Sequence, residues 1–293
     1  MKILRTIRFW FRSFCLLLTG RKINQQDYHQ EYNQVASSYH IWLEKMHKYT
    51  DVILAIDFFN DKQNLTLLDF ASGTGYISNQ LLSKLPDKGL KITAVDISEK
   101  MIEKAKETIN DSRCKFFIQE GMTFLKQQNT EKYDAIFCGF ALPYFNHKRI
   151  IQQFARILKG EGTIHLILNC QGTLDGLHDI YLEAMKEYPS AVEKIMEIRI
   201  QLPKNELKFS SWFQNYGFKV IFIQTVNELV SFPTPEELLI WLQKTGAIAG
   251  TNLIFKHQDE IKEILLKKIA SRYYKNEKYT INHKFIQAIF QKN

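Results

Sequence analysis

Two glycines and two acids in the first third of the chain have the types and spacing to hold a nucleotide. In LLDFASGTGYIS, residues 67–78, a mostly apolar run passes through Asp69 into Ala71-Ser72-Gly73-Thr74-Gly75 and then into polar, amphipathic sequence. A strand that ends in a glycine turn and opens a helix points backbone N–H groups and a helix N-terminus at a ligand. Three ligand classes are open: a triphosphate, a dinucleotide, or another nucleoside. A triphosphate loop needs Lys directly after its last glycine, and none follows here. The dinucleotide fingerprint Gly-x-Gly-x-x-Gly/Ala finds Gly73 and Gly75 but meets Ser78 at its third position, which disfavours a pyrophosphate contact. Asp96, 21 residues after Gly75, ends the next apolar run, where an acid can accept both hydroxyls of a ribose. Adenosine is therefore favoured. Against this, Asp69 can be read as a buried acid capping the turn. Asp96 can be read as a helix cap, although Ser98 is better placed for that role.

Other reactive side chains carry less. Cys15, Cys114, Cys138 and Cys170 are scattered without metal-ligand spacing, and three of them fall in predicted strands, where Cys acts as a small buried hydrophobe. Their usage fits a reducing, cytosolic setting, and no metal is expected. Tyr144 and His147 follow the fourth predicted strand and His178 lies further on; each histidine reads first as a surface or capping residue. No residue stands out as a catalytic base. Tyr144 and His147 are the candidates that position allows.

The elements that must position these residues alternate in type. Strands are expected at LTLLDFA, LKITAVDI, CKFFIQ, YDAIFCGF and TIHLILNC, with helices between them, including SEKMIEKAKETIN capped by Ser98. The strands are almost continuously apolar, which predicts a parallel sheet covered on both faces. After Cys170 the rhythm changes. Residues 171–202 and 227–276 read as helical insertions after the fifth and sixth strands, around KVIFIQTV, and YTINHKFIQAIFQ closes the chain as an alternating, antiparallel strand. The fold class is thus α/β, a Rossmann-like, seven-stranded, mostly parallel sheet. Insertions at those points would form a lid over the carboxyl edge, where open α/β sheets bind ligands.

Hydrophobic residues make up 45% of the 293 and charged residues 24%, ordinary for a folded protein. The formal charge is +8, but Lys2, Arg5, Arg8, Arg12, Arg21 and Lys22 precede the first acid, Asp27, so the rest of the chain carries only +2. That balance shows no broad basic face for nucleic acid. Residues 1–24 form a separate basic segment, with a single domain expected over 25–293. The longest apolar run of the segment, Phe14 to Leu18, is five residues, against roughly 20 for a membrane span. Nor does it read as a signal peptide. Drawn as a helix, it gathers Ile3, Ile7, Trp10, Phe11, Phe14, Leu17 and Leu18 on one side and Arg5, Arg8 and Arg12 on another. Such a helix either packs on the body or on a second subunit, or makes a peripheral membrane contact through residues 1–20. The oligomeric state is left open.

Five stretches in order carry a family resemblance: LLDFASGTGYIS, ITAVDISEKMIEKAK, KFFIQEGMTFL, YDAIFCGFALPYF and RILKGEGTIHLIL. Over residues 26–226 the chain resembles the class I S-adenosylmethionine-dependent methyltransferases, and EYNQVASSYHIWL resembles the segment they often carry ahead of the first strand. The resemblance implies S-adenosyl-L-methionine as cofactor. It implies that Asp69, Ala71, Ser72, Gly73 and Gly75 wrap the methionine part, and that Asp96 holds the ribose. Ile97 and Met101 fall near the adenine, Gly121 and Met122 where adenine is held edge-on, and Cys138, Gly139 and Phe140 beside the sulfonium. Tyr39, on residue type alone a core position, falls on an aromatic that often touches the cofactor carboxylate. Two positions depart from the pattern: Ala71 replaces the usual first glycine, and Gly121 replaces the usual Asp at the adenine amine, leaving Glu120 or a backbone carbonyl as substitutes.

A sulfonium methyl needs a nucleophile held in line and dry. A carboxylate is already ionised at neutral pH, whereas an amine or phenol needs a base or a shifted pKa. The segment FPTPEELLIWLQKTGA and the last strand are similar to the tails of methyltransferases that esterify carboxylic acids, the trans-aconitate and malonyl-carrier-protein types. This implies O-methylation of a carboxylate on a small, largely apolar molecule or peptide end, with Tyr144, His178 and Trp241 lining the acceptor site. A lipid or quinone methyltransferase at a membrane, or N-methylation of a natural product, is the alternative. Neither Asn-Pro-Pro-Tyr nor Asp-Pro-Pro-Tyr follows the fourth strand, which argues against the nucleobase and protein-glutamine types.

Overall fold

The computed structural model describes residues 2–195, 202–256 and 258–293. In chain order its elements are α1 (Lys2–Leu18), α2 (Gln25–Val35), α3 (His40–Val52), β1 (Asn64–Phe70), α4 (Tyr76–Lys84), β2 (Gly89–Asp96) and α5 (Glu99–Thr108). There follow β3 (Cys114–Ile118), α6 (Gly121–Lys126), β4 (Tyr133–Gly139), α7 (His147–Ile157), β5 (Leu158–Asn169) and α8 (Leu177–Glu187). The last are α9 (Glu206–Gln214), β6 (Phe218–Phe232), α10 (Pro235–Lys244), α11 (Gln258–Tyr273), β7 (Tyr274–Lys275) and β8 (Lys278–Lys292). The chain divides into two compact units. One holds the described parts of 1–42, 172–200 and 227–283; the other holds those of 43–171, 201–226 and 284–293.

The sheet runs β3-β2-β1-β4-β5-β8-β6. Strands β1 to β5 pair in parallel, β8 runs antiparallel to β5, and the two-residue β7 pairs with β8. The seven-strand, mostly parallel sheet read from the sequence is thus present, with β7 as a short addition. The chain builds outward from β1 in one direction to β2 and β3, and in the other to β4 and β5. The crevice at such a reversal, outside the carboxyl ends of the strands, is where open α/β sheets bind ligands.

Alternation along β1 sorts its side chains by face. Leu68 and Phe70 enter a buried cluster with Ile150, Ile151, Phe154 and Ile157 of α7 and Phe209 and Phe213 of α9. The spacing of those four α7 residues puts them on one helical face. Asp69 points the opposite way, to α4, where it meets Ser78.

Several boundaries differ from the sequence reading. The 25–60 helical region is two helices and a 3-10 turn at Ile56–Phe59. Strand β6 continues to Phe232, past the expected end at Val226, because NELVSF keeps the alternating pattern of an extended segment. The first insertion is not helical from its start: Gly172 and Gly176 adopt left-handed backbone, and α8 begins only at Leu177. Residues 196–201 of that insertion lie outside the described residues.

Candidate functional site

At the carboxyl end of β1 the chain makes a turn that three left-handed residues shape. Gly73 (φ 54°) and Gly75 (φ 78°) adopt this conformation as glycines do. Ala71 adopts it too, at φ 55°, where a side chain costs roughly 1–2 kcal/mol. Phe140, immediately after β4, is a second non-glycine residue in that region (φ 55°), with its N–H donating to the Ile167 carbonyl at 2.6 Å. Strands β1 and β4 are neighbours, with Asp69 opposite Phe137. Strained backbone of this kind gathers at ligand sites, where surrounding structure holds it.

Asp96 fastens the turn. Its Oδ2 accepts the Gly73 N–H at 2.8 Å, and its Oδ1 accepts the Ser98 N–H at 2.8 Å. Ser98, and not Asp96, caps α5, taking the Met101 N–H at 3.1 Å. Next to Asp96 the side chain of Ile97 is among the exposed large hydrophobics, a flat apolar surface at the strand's end. Met101 is buried in the core beneath.

Asp69 is 1% exposed and works from below. Gly75 is the N-cap of α4 and has no side chain to offer, so Asp69 Oδ2 takes the Ser78 N–H at 3.1 Å and its hydroxyl at 2.7 Å. Burial pushes this carboxyl up to about 7, against the Ser78 hydrogen bonds and with the Asp96 charge adding to the rise. Asp69 Oδ1 and Ser72 Oγ are buried without a partner among the described residues. Two orphaned polar atoms at the turn suit a ligand that brings polar functions to it.

Gly121 opens α6, and its departure from the family pattern has a steric cause. A Cβ there would lie 2.5 Å from Cζ of Phe70 and 3.2 Å from Cε1 of Phe145. Phe70 is fully buried, with ring centroids 5.2 Å from Phe145 and 5.3 Å from Phe154, so it has nowhere to go. No Asp fits beside these rings. Glu120 is the cap of α6: its carboxylate accepts the N–H groups of Met122 (2.9 Å) and Thr123 (2.7 Å) and the Thr123 hydroxyl. Burial raises its pKa, but these bonds outweigh it and hold the group below the usual range. Met122 packs at the edge of the core cluster.

On the β4 side, Cys138 is fully buried. Burial pushes its thiol up to about 12 even against the backbone N–H groups of Ala141 and Leu142, so it is no nucleophile. A Cβ on Gly139 would press on Ile77 at 3.3 Å. Tyr144 ends a 3-10 turn, Leu142–Tyr144. The His147 ring lies flat on Trp212, with centroids 4.0 Å apart and planes at 14°. Among the described residues no cluster of His, Cys, Asp and Glu could hold a metal.

The second unit therefore brings together Asp69 to Gly75, Asp96, Ile97, Gly121, Met122, Cys138 to Phe140, Tyr144 and His147 around the carboxyl ends of β1, β2 and β4. Tyr39, His178 and Trp241 belong to the first unit. Tyr39 stacks on Trp42 at 5.4 Å, Trp241 is buried against Phe232, and His178 sits at the exposed start of α8, 3.8 Å from Asp179. The sequence reading missed Phe70 and Phe145, which shape the Gly121 side, and Asp51, whose Oδ1 accepts the Tyr76 hydroxyl at 2.7 Å beside the turn. Asp51 lies in a helix without a motif, so nothing in the sequence marks it.

Residues 67–162 match a family model described as a methyltransferase domain. A malonyl-[acyl-carrier protein] O-methyltransferase from Acetivibrio thermocellus is 25% identical over 166 residues, 56% of this chain and 57% of that protein. One from Priestia megaterium is 28% identical over 170 residues, 56% of this chain and 59% of that protein. The chain thus spans little more than half the length of these relatives. A solved structure of a putative methyltransferase from Bacillus halodurans superposes with a TM-score of 0.54 and 17% identity, over 82% of this chain and 98% of that one. At that identity the likeness is one of fold.

Proposed function

We propose that the chain, whose residues 67–162 match a methyltransferase-domain model, is a class I S-adenosylmethionine-dependent methyltransferase that binds S-adenosyl-L-methionine at the carboxyl ends of β1, β2 and β4 and methylates a carboxylate oxygen. The observation that carries the reading is Asp96. Its two oxygens tie the glycine turn and the start of α5 to the carboxyl end of β2, the place where an acid can meet a ribose. Ile97 offers the adenine an apolar face, and Gly121, with no Cβ, leaves backbone at the start of α6 to face its edge. Ser72 and Asp69 offer polar atoms to the amino-acid end. When bound, the cofactor supplies an electrophilic methyl.

The chain's own groups suit an acceptor that needs no base. The Cys138 thiol stays protonated, and His147 is engaged in stacking on Trp212. These residues bind, orient and exclude water, and an acceptor that is already ionised asks for nothing more. The similarity to carrier-protein carboxyl methyltransferases favours an acid borne on a small, largely apolar molecule or acyl chain.

Calorimetry tests the cofactor. Asp96→Ala should weaken binding about 100- to 10,000-fold, because it deletes two charge-assisted hydrogen bonds of roughly 1.5–3 kcal/mol each. An unchanged dissociation constant refutes the site. Turnover to S-adenosylhomocysteine with carboxylic-acid acceptors tests the chemistry. The rate should stay flat from about pH 6 to 9, since a carboxylate loses no proton there. A steep rise near about pH 8 would assign the acceptor to an amine or phenol instead.

A further inference from the structure

Helix α1 is held by its narrow side. Phe9 (3% exposed), Ser13 and Leu16 (2%) form the buried stripe, packed within the first unit near α8 and the 3-10 turn Pro189–Ala191. Arg12 Nε donates to the Val192 carbonyl at 3.0 Å, and the chain after the helix exchanges backbone hydrogen bonds with Ile195 at both Arg21 and Ile23. This anchoring fixes the rotation of the helix about its axis.

The broad apolar side is left in solvent. Ile3, Ile7, Trp10 (62% exposed), Phe14 and Leu17 form a continuous ridge opposite the buried stripe, widened by Leu4, Phe11 (70%) and Leu18. At 100° per residue they cover an arc of roughly 140° along a rod about 25 Å long. A chain that merely packs its amphipathic helix on itself buries the broad face and exposes the narrow one. Here the arrangement is reversed, and a patch of this kind marks an interaction site.

Charge identifies the occupant. Arg8 is exposed along one flank of the ridge, Arg5 lies further round towards α8 beside Glu183 and Glu187, and Arg21 and Lys22 are exposed just beyond the helix end. A second copy docked symmetrically on this face would bring the basic flanks and ends of the two helices together. An anionic bilayer surface complements both features: apolar side chains with Trp and Phe enter the headgroup boundary while arginines meet lipid phosphates. No helix among the described residues is long and apolar enough to cross a membrane, so the contact is one of lying on the surface. We propose that α1 docks the protein on anionic phospholipid membranes through the Ile3–Ile7–Trp10–Phe14–Leu17 ridge. The inference stands apart from the methyl-transfer reading, because it concerns where the protein sits and is read by binding alone.

Flotation of the full chain with vesicles tests it. Vesicles of phosphatidylcholine with phosphatidylglycerol should carry the protein upward, vesicles of phosphatidylcholine alone should carry far less, and added salt should weaken the binding. Trp42, Trp212 and Trp241 are buried, so a blue shift of Trp emission on vesicle addition reports Trp10. Trp10→Ser with Phe14→Ser should lower partitioning at least about tenfold. Arg8→Gln with Arg21→Gln should lower it about thirtyfold at low salt, at about a fivefold loss for each charge. S-adenosylmethionine affinity, measured on the same variants, should not change. Failure to float with the anionic vesicles overturns the proposal, as does flotation that survives the Trp10 and Phe14 substitutions. Sedimentation showing a dimer that those substitutions split would reassign the ridge to a second copy.

Discussion

At single residues, the site inverts two ordinary rules about glycine and alanine. An alanine at the first position of a helix is normally worth up to about 1 kcal/mol over glycine. At Gly121 the added carbon would meet the immobile Phe70 ring at 2.5 Å. Gly121→Ala should therefore cost about 1–3 kcal/mol, the usual range for overpacking. Ala71 is the converse. Its φ of 55° makes the side chain a liability of roughly 1–2 kcal/mol, against the 0.5–1 kcal/mol that glycine loses in chain entropy. Ala71→Gly should leave stability unchanged or raise it by up to about 1 kcal/mol. Urea midpoints at constant m decide both; a Gly121→Ala protein as stable as the parent would mean that Phe70 can move aside. The glycine turn was legible because Gly73 and Gly75 need their backbone freedom whatever surrounds them. The reason for Gly121 was not, because Phe70 and Phe145 reach it only through the tertiary fold.

At the level of elements, legibility followed the strength of the local signal. Strands β1, β2, β4 and β5 were readable because each has a mostly apolar, largely buried run bounded by turn residues. The end of β6 and the start of α8 were not, since polar alternation and two left-handed glycines look alike in a sequence of mixed character. Caps were readable where a side chain does the capping. Ser98 closes the first turn of α5 next to Asp96, so it supports the strand end that carries the proposed ribose acid. The α4 cap was not readable as such: Gly75 leaves the work to Asp69, nine residues before Ser78. Removing the side-chain cap isolates its contribution. Ser98→Ala should cost about 1 kcal/mol in thermal or urea unfolding, and S-adenosylmethionine binding should weaken in step if Asp96 depends on that turn. A loss of stability with no change in affinity would show that the Gly73 N–H alone holds Asp96 in place.

Across the whole molecule, four buried titratable groups set up opposing pH dependences. Burial raises Asp69 and Glu31 to about 7, the latter even though Gly250 and its neighbours donate backbone N–H groups to it. Burial also lowers His165 and His283 to about 4, against the Ile53 carbonyl in one case and the Glu228 charge in the other. Each compact unit holds one group of each kind. For the acids the native state binds more protons than the unfolded chain. Their stabilisation is complete below the ordinary carboxylate range and is lost as pH rises towards about 7. For the histidines the native state binds fewer protons, so their stabilisation is complete above the ordinary imidazole range and is lost as pH falls through about 4. Between those limits the two acids and two histidines nearly cancel. Removing one member exposes the rest. Asp69→Asn keeps an oxygen for the Ser78 N–H and deletes one titration. Its stability relative to the parent should climb with pH between about 4.5 and 6.5 at about 1.4 kcal/mol per pH unit. Taking the difference between variant and parent cancels every surface group, so urea unfolding of the two proteins side by side at several pH values gives a direct reading. Parallel curves would show that Asp69 ionises in the folded protein as freely as in the unfolded chain. The carboxylate beneath the turn would then be charged at neutral pH, and its orphaned oxygen would meet the ligand as an anion.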